Sequence, residues 1–259
     1  MSNPIIWLTI FCAGLCIGSF LNVCISRMPG GQSIVRPASR CPVCGTPIRF
    51  YDNIPVISYL ILKARCRACH AHINIRYPLV ELITGAMACC IVLKYGLAVS
   101  SLIYFLFIAA LLVVTFIDLD HRIIPDRISL TGIAAGLALS PVLSEIAFID
   151  SLIGILAGGG SLFAVAMGYY LITGKEGMGG GDIKLLAMIG AFTGWQGVLF
   201  TIFAASAAGT VIGVALMAAA GKNMKFAVPF GPFLSLGAVA YLFFGQAVIY
   251  WYLQGIRPY

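Results

Sequence analysis

Six residues have types and spacings that support chemistry. Cys41-Pro-Val-Cys44 and Cys66-Arg-Ala-Cys69 are two C-x-x-C pairs separated by 21 residues. Each pair forms a tight turn that delivers two sulfurs to one ion, and two such turns complete a tetrahedral zinc site. Four protein ligands leave no open position, so the metal is expected to be structural, and its binding supplies folding energy to the segment around it. Two disulfides, or replacement of one sulfur by His70 or His72, are the competing readings. The histidines are expected to be solvent-facing neighbours. Cys12, Cys16, Cys24, Cys89 and Cys90 lie in apolar runs and read as small hydrophobes.

The other two residues are Asp118 and Asp182. Asp118 directly follows Val-Val-Thr-Phe-Ile, and Asp182 closes the turn Gly179-Gly180-Gly181 ahead of another apolar stretch. Ionisable groups at the edge of a membrane span are costly and point to function. Gly179 and Gly181 let the backbone turn sharply and aim Asp182. Two facing carboxyl groups in a low-dielectric site share a proton, which is the physical basis of aspartic proteolysis: one takes a proton from water while the other polarises the scissile carbonyl. The bland readings are a helix N-cap for Asp182 and an interfacial helix end for Asp118, as for Asp120. Asp126, after Pro125, reads as a helix cap. Glu81 is ambiguous, and His121 has no clear partner.

These residues must be positioned by membrane helices. The chain of 259 residues is 61% hydrophobic and 10% charged, against about 25% charged for a soluble domain. That excludes a soluble globular enzyme, a disordered chain and a coiled coil. Runs of about 20 apolar residues are expected to span at 5–25, 78–99, 101–117, 128–144, 152–173, 198–220 and 230–252, with a short helix at 183–192. The fold expected is an all-α polytopic membrane protein with about eight transmembrane helices, one of them short. The break before residue 198 is placed at Gly194-Trp195-Gln196-Gly197, and a polar turn at Gly221–Lys225. The expected organisation is a first helix at 1–25, a basic loop with the zinc site at 26–77, and a transmembrane core at 78–259.

The charge is concentrated. Residues 27–77 hold eight basic side chains and one acid, Asp52, while the rest of the chain is neutral. The basic loop lacks interleaved aromatics, so no nucleic acid is expected. With the N-terminus outside, the loops facing the cytoplasm carry 14 of the 16 basic residues, leaving Lys94 and Arg257 near the outer face. Both motif-bearing segments are then cytoplasmic, where thiols stay reduced and disulfides are disfavoured.

In order along the chain, these features resemble the type IV prepilin peptidases, which also process type II secretion pseudopilins. The resemblance is carried by Gly18-Ser-Phe-Leu-Asn-Val23 with Arg27 and Pro29, the cysteine pairs with Asn53-Ile-Pro-Val-Ile-Ser-Tyr59 between them, and Arg76-Tyr-Pro-Leu-Val-Glu81. It continues through Asp118, Ile124-Pro125-Asp126, the G-x-G-D signature at Gly179–Asp182 with Lys184, and Pro229-Phe-Gly-Pro232. One departure is Ala64, where the family often has glycine. The resemblance implies an intramembrane aspartic protease of the bacterial inner membrane with Asp118 and Asp182 as the catalytic pair. It implies substrates that are prepilins and pseudopilins with a basic leader, whose apolar helix lies in lipid beside the enzyme. It further implies N-methylation of the new N-terminal residue with S-adenosylmethionine. The loop and Glu81 are the suspected region for that second activity.

On dipole grounds Asp182, opening a helix, is expected to be the resting base, and Asp118, ending one, the resting acid. Two readings from other classes compete: a cation transporter with a structural zinc loop, and a non-enzymatic scaffold for a pilus or secretion machine. The sequence does not give the oligomeric state.

Overall fold

The structure, a computed structural model, describes residues 3–143, 145–175, 177–220 and 229–255. Apolar runs that enter a bilayer must satisfy their backbone groups internally, which selects helices. Among the described residues these are α1 (Pro4–Arg27), α2 (Ile57–Ile61), α3 (Arg76–Tyr95), α4 (Val99–His121), α5 (Asp126–Leu139), α6 (Phe148–Thr173), α7 (Gly180–Ala220), α8 (Gly231–Ala240) and α9 (Gln246–Gly255). No strand forms among them, and only two isolated bridges are present. The all-α expectation is borne out. The polar turn expected at Gly221–Lys225 lies outside the described residues.

Among the described residues six helices are long and apolar enough to cross a membrane, against the eight expected. Two elements account for the difference. Helix α5 has 14 residues, about 21 Å of helix against about 30 Å of hydrocarbon. It stops at a 3₁₀ turn, Ser140–Val142, rather than running on to residue 144. The second element is residues 180–193, the first limb of α7, which is equally short.

Helix α7 is not one rod. Gly194 adopts φ 67°, ψ −178°, outside the helical region, and the chain doubles back there. A methyl group built on Gly190 would meet the Val198 side chain at 2.9 Å, a contact that an uninterrupted helix cannot make across eight residues. Only glycine adopts this backbone readily. The break expected at 194–197 is thus found at its first residue.

The chain forms two compact units, residues 1–113 and 114–259. In the first, α1 and α3 pack at backbone distance. A methyl group on Gly14 would lie 2.7 Å from Gly85 Cα, and one on Gly18 would lie 2.6 Å from Glu81 Cα. Small residues at such seams let membrane helices approach closely. In the second unit, the short limb 180–193 lies between α5 and α6. Leu185, Leu186, Met188, Ile189 and Ala191 are fully buried. Gly154 and Gly190 touch through their backbones, so a side chain at either would collide. Ser151 Oγ donates to Ala191 O at 2.8 Å. The helix that begins beside Asp182 is therefore held on all sides.

Candidate active site

Asp118 sits in the last full turn of α4. Its carbonyl accepts the Arg122 N–H at 2.9 Å, and Arg122 takes a left-handed φ of 56°, which ends the helix. Burial leaves Asp118 only 6% exposed. Its Oδ2 accepts the backbone N–H of Gly231, the first residue of α8, at 3.0 Å.

Asp182 lies in the first turn of α7, half-buried. It is not the N-cap: its own N–H bonds to Gly179 O at 3.2 Å, so the chain enters the helix at Gly179 and Asp182 is three residues in. Among the described residues no cation or hydrogen-bond donor reaches the Asp182 carboxylate. Asp118 lies within Coulombic reach of it. Residues 64 positions apart in sequence are thus brought within Coulombic reach of one another in this unit. Both carboxyl groups face a helix start, Asp182 in α7 and Asp118 through the first N–H of α8. The Gly231 N–H offsets part of the dipole asymmetry expected to set base and acid apart, and the pair is treated as one titrating unit.

Two residues at this site had no assigned role in the sequence. Gly231 stands within Pro229-Phe-Gly-Pro232, where the family resemblance gave no function. A methyl group there would sit 2.6 Å from Asp118 Oδ2. Ile124 packs between the two turns: methyl groups built on Gly181 and Gly231 would lie 3.0 Å and 3.3 Å from its side chain. Its signal was the Ile124-Pro125 step after the charged segment. Asp126 is the first residue of α5 and makes no capping bond. Instead Lys184 Nζ donates to its two oxygens at 2.7 and 2.8 Å. The cap expected of Asp126 is replaced by an ion pair that ties the starts of α5 and α7.

In the first unit the four cysteine sulfurs lie within 4.8 Å of one another. Cys41 and Cys69 are 3.8 Å apart. A tetrahedral ion with metal–sulfur bonds of about 2.3 Å needs sulfur pairs separated by roughly 3.8 Å. The cluster could hold a zinc ion on all four ligands. All nine cysteines are free thiols.

The two knuckles are built alike. Cys41 N–H donates to Thr46 O, and Gly45 N–H donates to Cys41 O. In the same positions Cys66 N–H donates to Ala71 O and His70 N–H to Cys66 O. Backbone bridges Arg40–Pro47 and Arg65–His72 close each turn. Gly45 and His70 both take left-handed φ, 69° and 56°. His70 is therefore the turn residue of its knuckle, and both His70 and His72 are exposed, as expected. The Thr46 hydroxyl lies 3.2 Å from Cys44 Sγ and holds that thiol well below its usual value, at about 6.

Glu81 is also in this unit. It is buried, 8% exposed, and its Oε2 accepts the Val56 N–H at 2.8 Å. Ser19 also hydrogen-bonds the carboxylate. Val56 reaches it from a left-handed backbone, φ 60°, costly for a β-branched residue. Nearby, Asn22 Nδ2 donates to Tyr77 O at 3.0 Å.

Residues 12–95 match the Bacterial Peptidase A24 N-terminal domain and residues 105–214 match the Type IV leader peptidase family. The chain belongs to the type IV leader peptidase family. A "Prepilin leader peptidase/N-methyltransferase" of Myxococcus xanthus is 41% identical over 220 residues, covering 85% of this chain and 66% of that protein. One of Aeromonas salmonicida with the same name is 35% identical over 272 residues, covering 95% and 94%. One of Pseudomonas aeruginosa is 36% identical, covering 93% and 91%. No solved structure matches the chain. Family membership and six long apolar helices make it a multi-pass membrane protein.

Proposed function

We propose that this chain is a membrane-embedded aspartic peptidase that removes the basic leader of type IV prepilins and type II secretion pseudopilins, then N-methylates the exposed residue. The observation that carries the reading is that Asp118 and Asp182, at the ends of two helices, lie within Coulombic reach of one another, in a chain whose relatives bear the name "Prepilin leader peptidase/N-methyltransferase". In the peptidase step the pair shares one proton. The ionised carboxyl draws a proton from water, which attacks the carbonyl, and the protonated partner donates to the carbonyl oxygen. Gly231 N–H fixes the Asp118 carboxyl through this exchange.

A zinc ion on Cys41, Cys44, Cys66 and Cys69 gives the basic loop its fold and takes no part in either reaction. S-adenosylmethionine supplies the methyl group. In this reading residues 1–25 are an anchoring span, 26–77 the metal-bound loop, and 78–259 the peptidase body. The protein lies in the bacterial inner membrane with its N-terminus outside and both sites at the cytoplasmic face, the side on which a basic leader stays under the positive-inside rule. A transporter is disfavoured because the ionisable groups sit at helix ends rather than along a midplane path.

The test is co-expression with a model prepilin and mass analysis of the product. Leader loss together with one added methyl group is expected. A product that keeps its leader contradicts the peptidase reading, and one that is cut but unmethylated contradicts the second activity alone.

A further inference from the structure

Helix α2 is short, Ile57-Ser-Tyr-Leu-Ile61, and its two faces differ. Ser58 is buried: its Oγ donates to Tyr51 O at 2.9 Å and accepts the Ile54 N–H at 3.1 Å. Ile57, Leu60 and Ile61 recur at i, i+3 and i+4, the spacing of one helix face. They are 53%, 67% and 69% exposed, so the described residues leave this apolar stripe uncovered. Apolar surface is costly to leave in water.

The depth of α2 is set by one bond. Val56 N–H donates to Glu81 Oε2 at 2.8 Å, and Val56 holds a left-handed φ of 60° while making it. Glu81 lies in the second turn of α3, a helix of 20 residues. Such a helix is about 30 Å long, the thickness of the hydrocarbon layer. Its second turn stands roughly 7 Å in from the helix end. Gly18 of α1 packs against Glu81 Cα, nine residues before α1 ends at Arg27. The start of α2 is therefore drawn down the flank of two spans, to the edge of the hydrocarbon rather than out beyond the headgroups. Leu79 and Leu82, on either side of Glu81 in α3, are also exposed, so apolar surface meets lipid at the same level.

Charge completes the pattern. Lys63 and Arg65 follow within four residues of α2 and are exposed. They belong to a segment, residues 27–77, with eight basic side chains and one acid. An apolar face flanked by lysine and arginine is the pattern of helices that lie in a membrane surface, with their cations on anionic headgroups. We infer that α2 is an interfacial helix: its Ile57, Leu60 and Ile61 stripe enters the edge of the hydrocarbon, and the basic residues after it take anionic phospholipid headgroups. The second knuckle starts at Cys66, five residues after α2, so the metal loop is held against the membrane surface. This inference needs the chain to span a membrane and is independent of both reactions.

The test uses the full chain in nanodiscs of phosphatidylcholine and phosphatidylglycerol in equal parts. The photo-crosslinking residue p-benzoylphenylalanine replaces Leu60, and metal content matching wild type shows that the loop still folds. After illumination, the peptide that carries position 60 is expected to gain the mass of a phospholipid, phosphatidylglycerol at least about twofold over phosphatidylcholine. A crosslink to residues beyond 113, a crosslink to a second copy of the chain, or no crosslink overturns the inference. Equal adducts of the two lipids overturn the role given to the basic residues. A second measurement needs no variant: wild type in nanodiscs that contain a photoreactive phospholipid is expected to be labelled within 57–61 as well as in its spans. Label in the spans alone overturns the inference.

Discussion

The Gly231 N–H and Asp118 Oδ2 are 3.0 Å apart across 113 positions of sequence. This bond ties the end of α4 to the start of α8. It also explains why position 231 holds no side chain: a methyl group would stand 2.6 Å from the oxygen that accepts the bond. The carboxyl group must rotate or retreat if anything is added there.

Gly231→Ala should therefore lower peptidase activity by at least about tenfold. A rotated carboxyl loses alignment, and small misplacements at a reacting centre are expensive. Initial rates of leader cleavage at matched membrane levels check this. Wild-type rates would show that the Gly231 contact does not position Asp118.

Asp126 and Lys184 give the contrasting case. Their ion pair is substantially exposed, 57% and 39% for the two side chains, and such pairs contribute about 0–1 kcal/mol. Asp126→Asn should leave cleavage within about threefold of wild type. A loss as large as that of the catalytic pair would give Asp126 a chemical role that its geometry does not suggest.

These two carboxylates mark what could be read before the fold was known. Asp118, Asp182 and the four cysteines announce themselves by type and spacing, because a span tolerates few charges and a knuckle has a fixed length. The reversal at Gly194 was legible because a run of 37 uncharged residues from Leu185 to Gly221 fits no single crossing. Gly231 was not legible, because its contribution is a backbone N–H that any residue but proline carries. Nor was the role of Asp126: its partner Lys184 is 58 positions away, and a residue after proline looks like a cap. The short α5 was missed because apolarity continues through Leu143 although the helix stops at Leu139.

The metal loop gives a third prediction. Chelation should unfold residues 26–77, read as new proteolytic cuts within the loop. In the stripped, unfolded loop all four thiols should become open to alkylation. Metal should protect all four cysteines. Equal labelling of the four with and without metal would remove the shared site.

Ala64 gives the fourth. It adopts φ 58°, where a Cβ costs roughly 1–2 kcal/mol. Its N–H and carbonyl are both committed, to Tyr59 O at 2.9 Å and to Ile73 N–H at 2.7 Å, so the backbone cannot relax. This position is the departure from the glycine common in the family. Ala64→Gly should stabilise the loop by about 0.5–1 kcal/mol after the entropy gained by the unfolded chain. The urea midpoint for loop proteolysis checks this, and a fall in that midpoint would contradict it.

The central claim is that Asp118 and Asp182 act together on the scissile bond. The most direct measurement is the cleavage rate of a purified prepilin by wild type, Asp118→Asn and Asp182→Asn in the same detergent. Each variant keeps the size of the side chain and removes its acid–base function, so each should lose at least about a hundredfold in rate. Each should still insert in the membrane and retain its metal. Both variants cleaving at near wild-type rates would contradict the account and move the chemistry elsewhere.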